Sequence, residues 1–101
     1  MFIGIGRYDI FIAHSGSLKD KRRVLRAVTM SVQKKFNVAI AEVDFQDKWQ
    51  RAALGVSCVA ESASHCRNVL NEVEKQIGRA ALDGGELVDR HIEIIAMEDL
   101  L

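Results

Sequence analysis

The sequence predicts an α+β fold: one domain over residues 1–101, in which two helices cover one face of a four-stranded antiparallel sheet. Three observations predict it. Two stretches, Ser17–Phe36 and Ser62–Ala81, repeat apolar residues at the helical period, while four other segments carry alternating or continuous apolar residues over strand lengths. Only five polar residues, QDKWQ, separate the two middle strands, a connection too short for anything but an antiparallel hairpin. Finally, 49% hydrophobic residues in a 101-residue chain suffice for one core that buries roughly 65% of the unfolded surface.

The first strand is expected at Phe2–Ala13. Gly4, Gly6, Tyr8, Ile10 and Ile12 would face the helices; Ile3, Ile5, Arg7, Asp9 and Phe11 would face away. His14-Ser15-Gly16 turns the chain into the first helix. Leu18, Val24, Leu25, Val28, Val32 and Phe36 form its apolar arc, Ser17 is its N-cap with Asp20 three residues on, and Asn37 is a suitable left-handed stop. The second strand, Asn37–Phe45, puts Ala39, Ala41, Val43 and Phe45 on one face, with Glu42 and Asp44 on the outward one. The third, Arg51–Glu61, turns Leu54, Val56 and Cys58 inward. Ser62 caps the second helix, whose stripe is Cys66, Val69, Leu70, Val73, Ile77 and Ala80, with His65 partly buried at its edge. After the turn Asp83-Gly84-Gly85, the last strand, Glu86–Met97, points Val88, Ile92 and Ile94 inward and Asp89, His91 and Glu93 outward. Glu98–Leu101 is a short tail.

The order β-α-β-β-α-β is that of the ferredoxin-like split βαβ motif. Right-handed crossovers give sheet order 4-1-3-2 with both helices on one face. Three connections then emerge at the end where the first helix begins. They gather His14, Ser15, Ser17, Lys19, Lys21, Arg22, Asp47, Trp49, Gln50 and Arg51.

Charge is distributed unevenly. The net charge is zero, yet Ser17–Phe36 holds seven of the 14 cations and a single acid. Lys19, Arg22, Arg23, Arg26 and Lys34 share the arc opposite the apolar one. Such a stripe supplies the phosphate neutralisation that dominates nucleic-acid affinity; it is equally what a solvated face balanced by acids elsewhere looks like. Trp49, between Lys48 and Gln50, suits either stacking on a base or anchoring the hairpin over the core, with Asp47 paired to Lys21 or Arg22. An RRM-like sheet mode is excluded. The outward face carries Asp9, Glu42, Asp44, Asp89 and Glu93 against Arg7 and Arg51, and its third strand has no aromatic residue. The outward Ile3, Ile5, Phe11 and Ile95 point instead to a homodimer through the sheet.

Other chemistry is not indicated. Glu42 and Asp44 read as a strand surface rather than a catalytic pair. His14, His65 and His91 fall on separate elements, so no nucleophile, base and orienting group assemble. No metal spacing, P-loop or dinucleotide fingerprint occurs, and no cofactor is expected. Cys58 and Cys66 read as buried, reduced thiols. No apolar run of about 18 residues spans a membrane. The N-terminal MFIGIGRYDIFIA lacks a basic leader and reads as a strand, which predicts a cytoplasmic protein.

SLKDKRRVLR followed by FNVAIAEVDFQDKWQRAALGV resembles the YlxP-like family of small bacterial proteins, through the paired motifs S-L-K-x-K-R and E-V-D-x-x-D-x-W-Q. The resemblance implies a ferredoxin-like fold and no activity. The family's genes often lie among those for translation initiation and ribosome maturation, which implies ribosomal RNA or a ribosomal subunit as a partner. Gly6 departs from the larger apolar residue usual there, implying a looser core beside the first strand, and His14-Ser15-Gly16 lacks the proline often found nearby.

The expected function is therefore a non-catalytic RNA- or ribosome-associated module. Ser17, Lys19, Lys21, Arg22, Arg23, Arg26, Lys34, Trp49, Gln50 and Arg51 are its candidate nucleic-acid- or anion-binding residues. The alternatives are a dimeric interaction module whose basic helix meets an acidic protein, and a regulatory domain holding a small anion at the helix N-terminus.

Overall fold

The computed structural model describes residues 1–82 and 84–100; Asp83 of the expected glycine turn and Leu101 of the tail lie outside them. The order is β1 (Phe2–Phe11), α1 (Leu18–Lys35), β2 (Ala39–Asp44), β3 (Arg51–Ala60), α2 (Ala63–Ala81) and β4 (Glu86–Ala96), and Met97–Leu100 closes the chain as a 3-10 turn rather than an open tail. The strands form one antiparallel sheet in the order β2-β3-β1-β4, the expected order read from the other edge. No helix of the described residues is long and apolar enough to cross a membrane.

Both helices pack on the face that Tyr8, Ile10, Leu54, Val56 and Cys58 present. Their buried stripes are Leu25, Val28 and Val32 from α1, and Cys66, Leu70, Val73, Ile77 and Ala81 from α2. Ser62 caps α2, its hydroxyl accepting from the His65 N–H at 3.1 Å. Cys58 and Cys66 are free and buried, and burial pushes the Cys58 thiol up to about 11. His65 itself is exposed, because its Cβ points one step off the stripe.

The core beside Gly6 is not loose. A Cβ on Gly6 would lie 2.7 Å from the Tyr8 ring, which folds back across the glycine and fills the space a larger side chain would take. Tyr8 is fully buried, and its hydroxyl donates to the Leu70 carbonyl at 2.8 Å. A small residue at Gly6 is what lets that phenol reach α2.

Two strands differ from the expected facing. In β2, Ile40 and Glu42 turn toward the helices opposite Val56 and Leu54, leaving Ala39, Ala41 and Val43 outward and exposed. Ile40 buries more apolar area than either alanine, and Glu42 finds a buried partner described below. A register shift between Glu42 and Asp44 then returns Asp44 to the open face. A second shift, opposite Asp9 and Ile10, lets Leu87 rather than Val88 enter the core, and Val88 stays half exposed. Helix α1 ends without a left-handed cap: Phe36 is extended (φ −130°), its N–H bonding the Val32 carbonyl, and Asn37 does not take positive φ.

Candidate functional site

The site builds outward from Lys21. On α1, Lys21, Leu25, Val28 and Val32 follow the i, i+4, i+7, i+11 spacing, so this lysine occupies the helix's buried stripe and is 1% exposed. Its Nζ donates to the Phe45 carbonyl at 2.6 Å and the Lys48 carbonyl at 2.8 Å. It also lies 2.9 Å from Glu42 Oε2. That oxygen has no hydrogen bond of good angle, so charge rather than direction holds it. An ammonium with three protons and no acceptor needs three oxygens when buried, and the hairpin supplies them. Lys21 therefore ties the β2–β3 hairpin to the first turn of α1 and leaves the set of residues able to reach an external phosphate.

The hairpin it holds is strained. Phe45 takes φ 62°, a left-handed conformation that costs a bulky residue about 1–2 kcal/mol. Asp44 Oδ1 accepts the Phe45 N–H at 2.8 Å, and the Arg51 guanidinium stacks 4.2 Å from the ring centroid. That N–H, and after it the Arg7 guanidinium at 3.3 Å, hold the Asp44 carboxyl below its ordinary range. Gln50 closes the loop from the other side. Its amide donates to the Ala13 carbonyl at 2.9 Å and its own carbonyl accepts from the Ile12 N–H at 2.8 Å. Gln50 and Lys21 are thus framework residues, and Asp47 pairs with neither Lys21 nor Arg22 among the described residues.

With the hairpin anchored by a lysine and a glutamine, Trp49 has no anchoring task. It stays 54% exposed beside Phe11 and Arg51, on the rim of a cleft of about 550 Å³. An indole of this size left in water on a fixed loop is a preorganised stacking surface.

Ser17 is also framework. Its hydroxyl accepts the Asp20 N–H at 3.1 Å, while Asp20 Oδ2 accepts the Gly16 N–H at 3.2 Å. The helix N-terminus is thus filled by its own carboxylate, and a small anion there would have to displace Asp20.

What remains of the expected set lies along α1. Lys19, Arg22, Arg23, Arg26 and Lys34 are all exposed, and none forms an ion pair or side-chain hydrogen bond with another described residue. Several described acids are paired elsewhere, Asp9 and Asp44 with Arg7, Glu74 with Arg90 and Glu93 with His91, while Asp20 and Glu42 line the hollows beside the stripe, where the Gly16 N–H and Lys21 engage them. Lys19, Arg22, Arg23 and Arg26 surround a depression of about 610 Å³ whose floor is Ala27 and Met30. A second hollow of about 310 Å³ separates Arg22 and Arg26 from the β2 edge, with Leu25 and Leu54 at its base. The two arginines stand between both. From Lys19 to Lys34 the stripe runs about 22 Å at 1.5 Å per residue.

The expected site is therefore three things: a cationic stripe on α1, an aromatic cleft at the hairpin that includes Trp49 and Arg51, and a hydrogen-bonded framework of Ser17, Lys21 and Gln50, of which Lys21 is buried. Among the described residues no group of three or more histidine, cysteine or acidic side chains could hold a metal.

Comparison with known proteins gives a family without an activity. The family described as "Protein of unknown function (DUF503)" matches residues 3–92. The uncharacterised protein YlxP of Bacillus subtilis (strain 168) is 39% identical over 90 residues, covering 89% of this chain and 92% of that one. Among solved structures, a de novo designed protein with ferredoxin fold superposes with TM-score 0.51 at 14% identity, over 95% of this chain and 86% of the other. A C-terminal segment of the aIF2 alpha subunit from Pyrococcus abyssi gives 0.52 at 13%, over 93% and 51%. At such identities the likeness is one of fold alone.

Proposed function

Because the chain belongs to the DUF503 family of unknown function, which includes the YlxP-like proteins and supplies no chemistry, we propose from its surface that it is a non-catalytic RNA-binding module, associated with ribosomal RNA. The observation that carries this reading is the unpaired stripe on α1. Five cations lie on one exposed face, none satisfied within the described molecule. The five exposed cations repel one another along one helix, and an external polyanion would relieve that repulsion, whereas Lys21 is already met by Glu42. The separations suit a flexible phosphate chain following the helix, and Met30 and Ala27 between the arginines accept the apolar edge of a sugar or base.

Trp49 supplies the second contact. Lys21 holds the Lys48 carbonyl against α1, so an unpaired base stacked on Trp49 and a phosphate at Lys19 or Arg22 belong to one short strand segment. Single-stranded or loop RNA is the class that offers both features, since duplex bases cannot reach an indole.

The chain's sole tryptophan makes the test direct. Titration with a single-stranded ribosomal RNA fragment should quench Trp49 emission in step with binding seen by anisotropy. Trp49→Ala should weaken binding roughly 5- to 150-fold, the range of 1–3 kcal/mol measured for base–aromatic stacking. Binding with unchanged emission and an unaffected Trp49→Ala variant would leave phosphates as the whole interaction and refute the stacking role.

A further inference from the structure

The open face of the sheet, opposite the helices, carries two features that fit each other. Ile3, Ile5, Val59 and Ile95 stand in adjacent positions at one end, with Val59 65% and Ile5 44% exposed. Beside them the small residues Ala41 and Gly55 floor a shallow groove of about 270 Å³, with Ile5 on its rim. Knob and groove on the same face are what a two-fold, isologous contact needs, because each copy supplies both.

We infer that this face packs against the same face of a second copy, giving a four-layer dimer with the basic helices outermost. Area supports it. β1 is ten residues long, about 33 Å, and four strands span about 19 Å. A face-to-face pair therefore covers at most roughly 600 Å² per copy in projection, since β2 spans only six residues, which places the contact at the low end of stable interfaces. Charge supports it as well. Arg7, the cation at the centre of the face, pairs with Asp9 at 3.0 Å and Asp44 at 3.3 Å, and Arg51, whose charge also acts on Asp44, offsets the second carboxylate, so the cluster is close to neutral. The remaining acids, Glu86, Asp89 and Glu93, line the β4 edge, where solvent reaches them. That acidic edge also argues against a nucleic acid as the occupant. Phe11, expected in the same interface, belongs instead to the Trp49 cleft at the other end of the sheet.

The dimer does not depend on the RNA reading, and its test is separate. Light scattering coupled to size exclusion at about 100 μM should give twice the 11.3 kDa chain mass. Val59→Glu and Ser57→Arg, both at exposed positions of this face, should each give monomers with native circular dichroism. Arg22→Glu/Arg26→Glu should stay dimeric. A wild-type protein of single mass, or a dimer that survives both sheet substitutions, overturns the inference. So does a dimer lost on reversing α1, which would mean that the basic helix of one copy sits on the acidic edge of another.

Discussion

Reversing Arg22 and Arg26 together, to glutamate, should weaken RNA binding roughly 100-fold and leave the fold intact. Both side chains are exposed and unpaired among the described residues, so the helix loses no internal contact. Glutamate is as good a helix former as arginine, and at position 22 it meets the favourable end of the helix dipole. The same two arginines stand between the two hollows flanking α1, so any strand following the helix passes both. Each substitution deletes a phosphate contact and adds a repulsion. The expected loss is roughly 100-fold at about 0.1 M salt, with the salt slope becoming shallower by about 1.4, since each phosphate contact on a single strand contributes about 0.7. Anisotropy on wild type and variant side by side reads both numbers, with urea melts confirming unchanged stability. Unchanged affinity would remove the phosphate role from α1.

The largest effect on stability should come from Lys21→Met. The substitution keeps most of the buried volume and removes only the charge. It leaves Glu42 facing the core without its cation, and the Lys48 carbonyl without a donor. Removing one partner of a buried pair costs about 3–5 kcal/mol, and Glu42, with its side chain 26% exposed, puts this case near the lower figure. About 3 kcal/mol corresponds to a fall in Tm of roughly 12–24 °C in a domain of this size. Phe45 would also lose a restraint on its left-handed backbone, so the hairpin should loosen first. Lys21→Met/Glu42→Leu should recover a good part of the loss by replacing both charges with apolar groups. Urea unfolding of the wild type, the two single variants and the double variant forms the cycle. A Lys21→Met cost under about 1 kcal/mol, or no recovery in the double variant, would contradict the staple.

The two sequence motifs look different once these roles are assigned. In Ser17–Arg22, the serine caps and the second lysine staples. In Glu42–Gln50, the glutamate meets the staple, Asp44 holds Phe45 and Arg7, and the glutamine closes the loop. Lys19, Arg22 and Trp49 are among the residues these motifs leave in solvent, and they are the ones the proposed RNA contact uses.

The element order, the sheet order and both helical stripes were legible because periodicity reports which side of an element faces the core. The facing of β2 was not. A carboxylate reads as solvated from local sequence, and its burial depends on Lys21 in another element. One signal was available: Lys21 lies four residues before Leu25, on the same stripe as Val28 and Val32. The inward Leu87 and outward Val88 follow from a register shift, and no local pattern announces one. Trp49's exposure was likewise undetermined, since an indole over a hairpin packs or protrudes according to what else anchors the loop.

If α1 binds RNA through its phosphates, the affinity must fall with salt. The measurement that tests this most directly is the salt dependence of wild-type binding to a labelled single-stranded fragment of small-subunit ribosomal RNA. With five cations on the stripe, the slope of log K against log salt should be about −3.5, at roughly 0.7 per phosphate for single strands. A ribosomal fragment should outcompete an unrelated RNA of equal length. No binding at 50 mM salt, or binding indifferent to salt, would contradict the account.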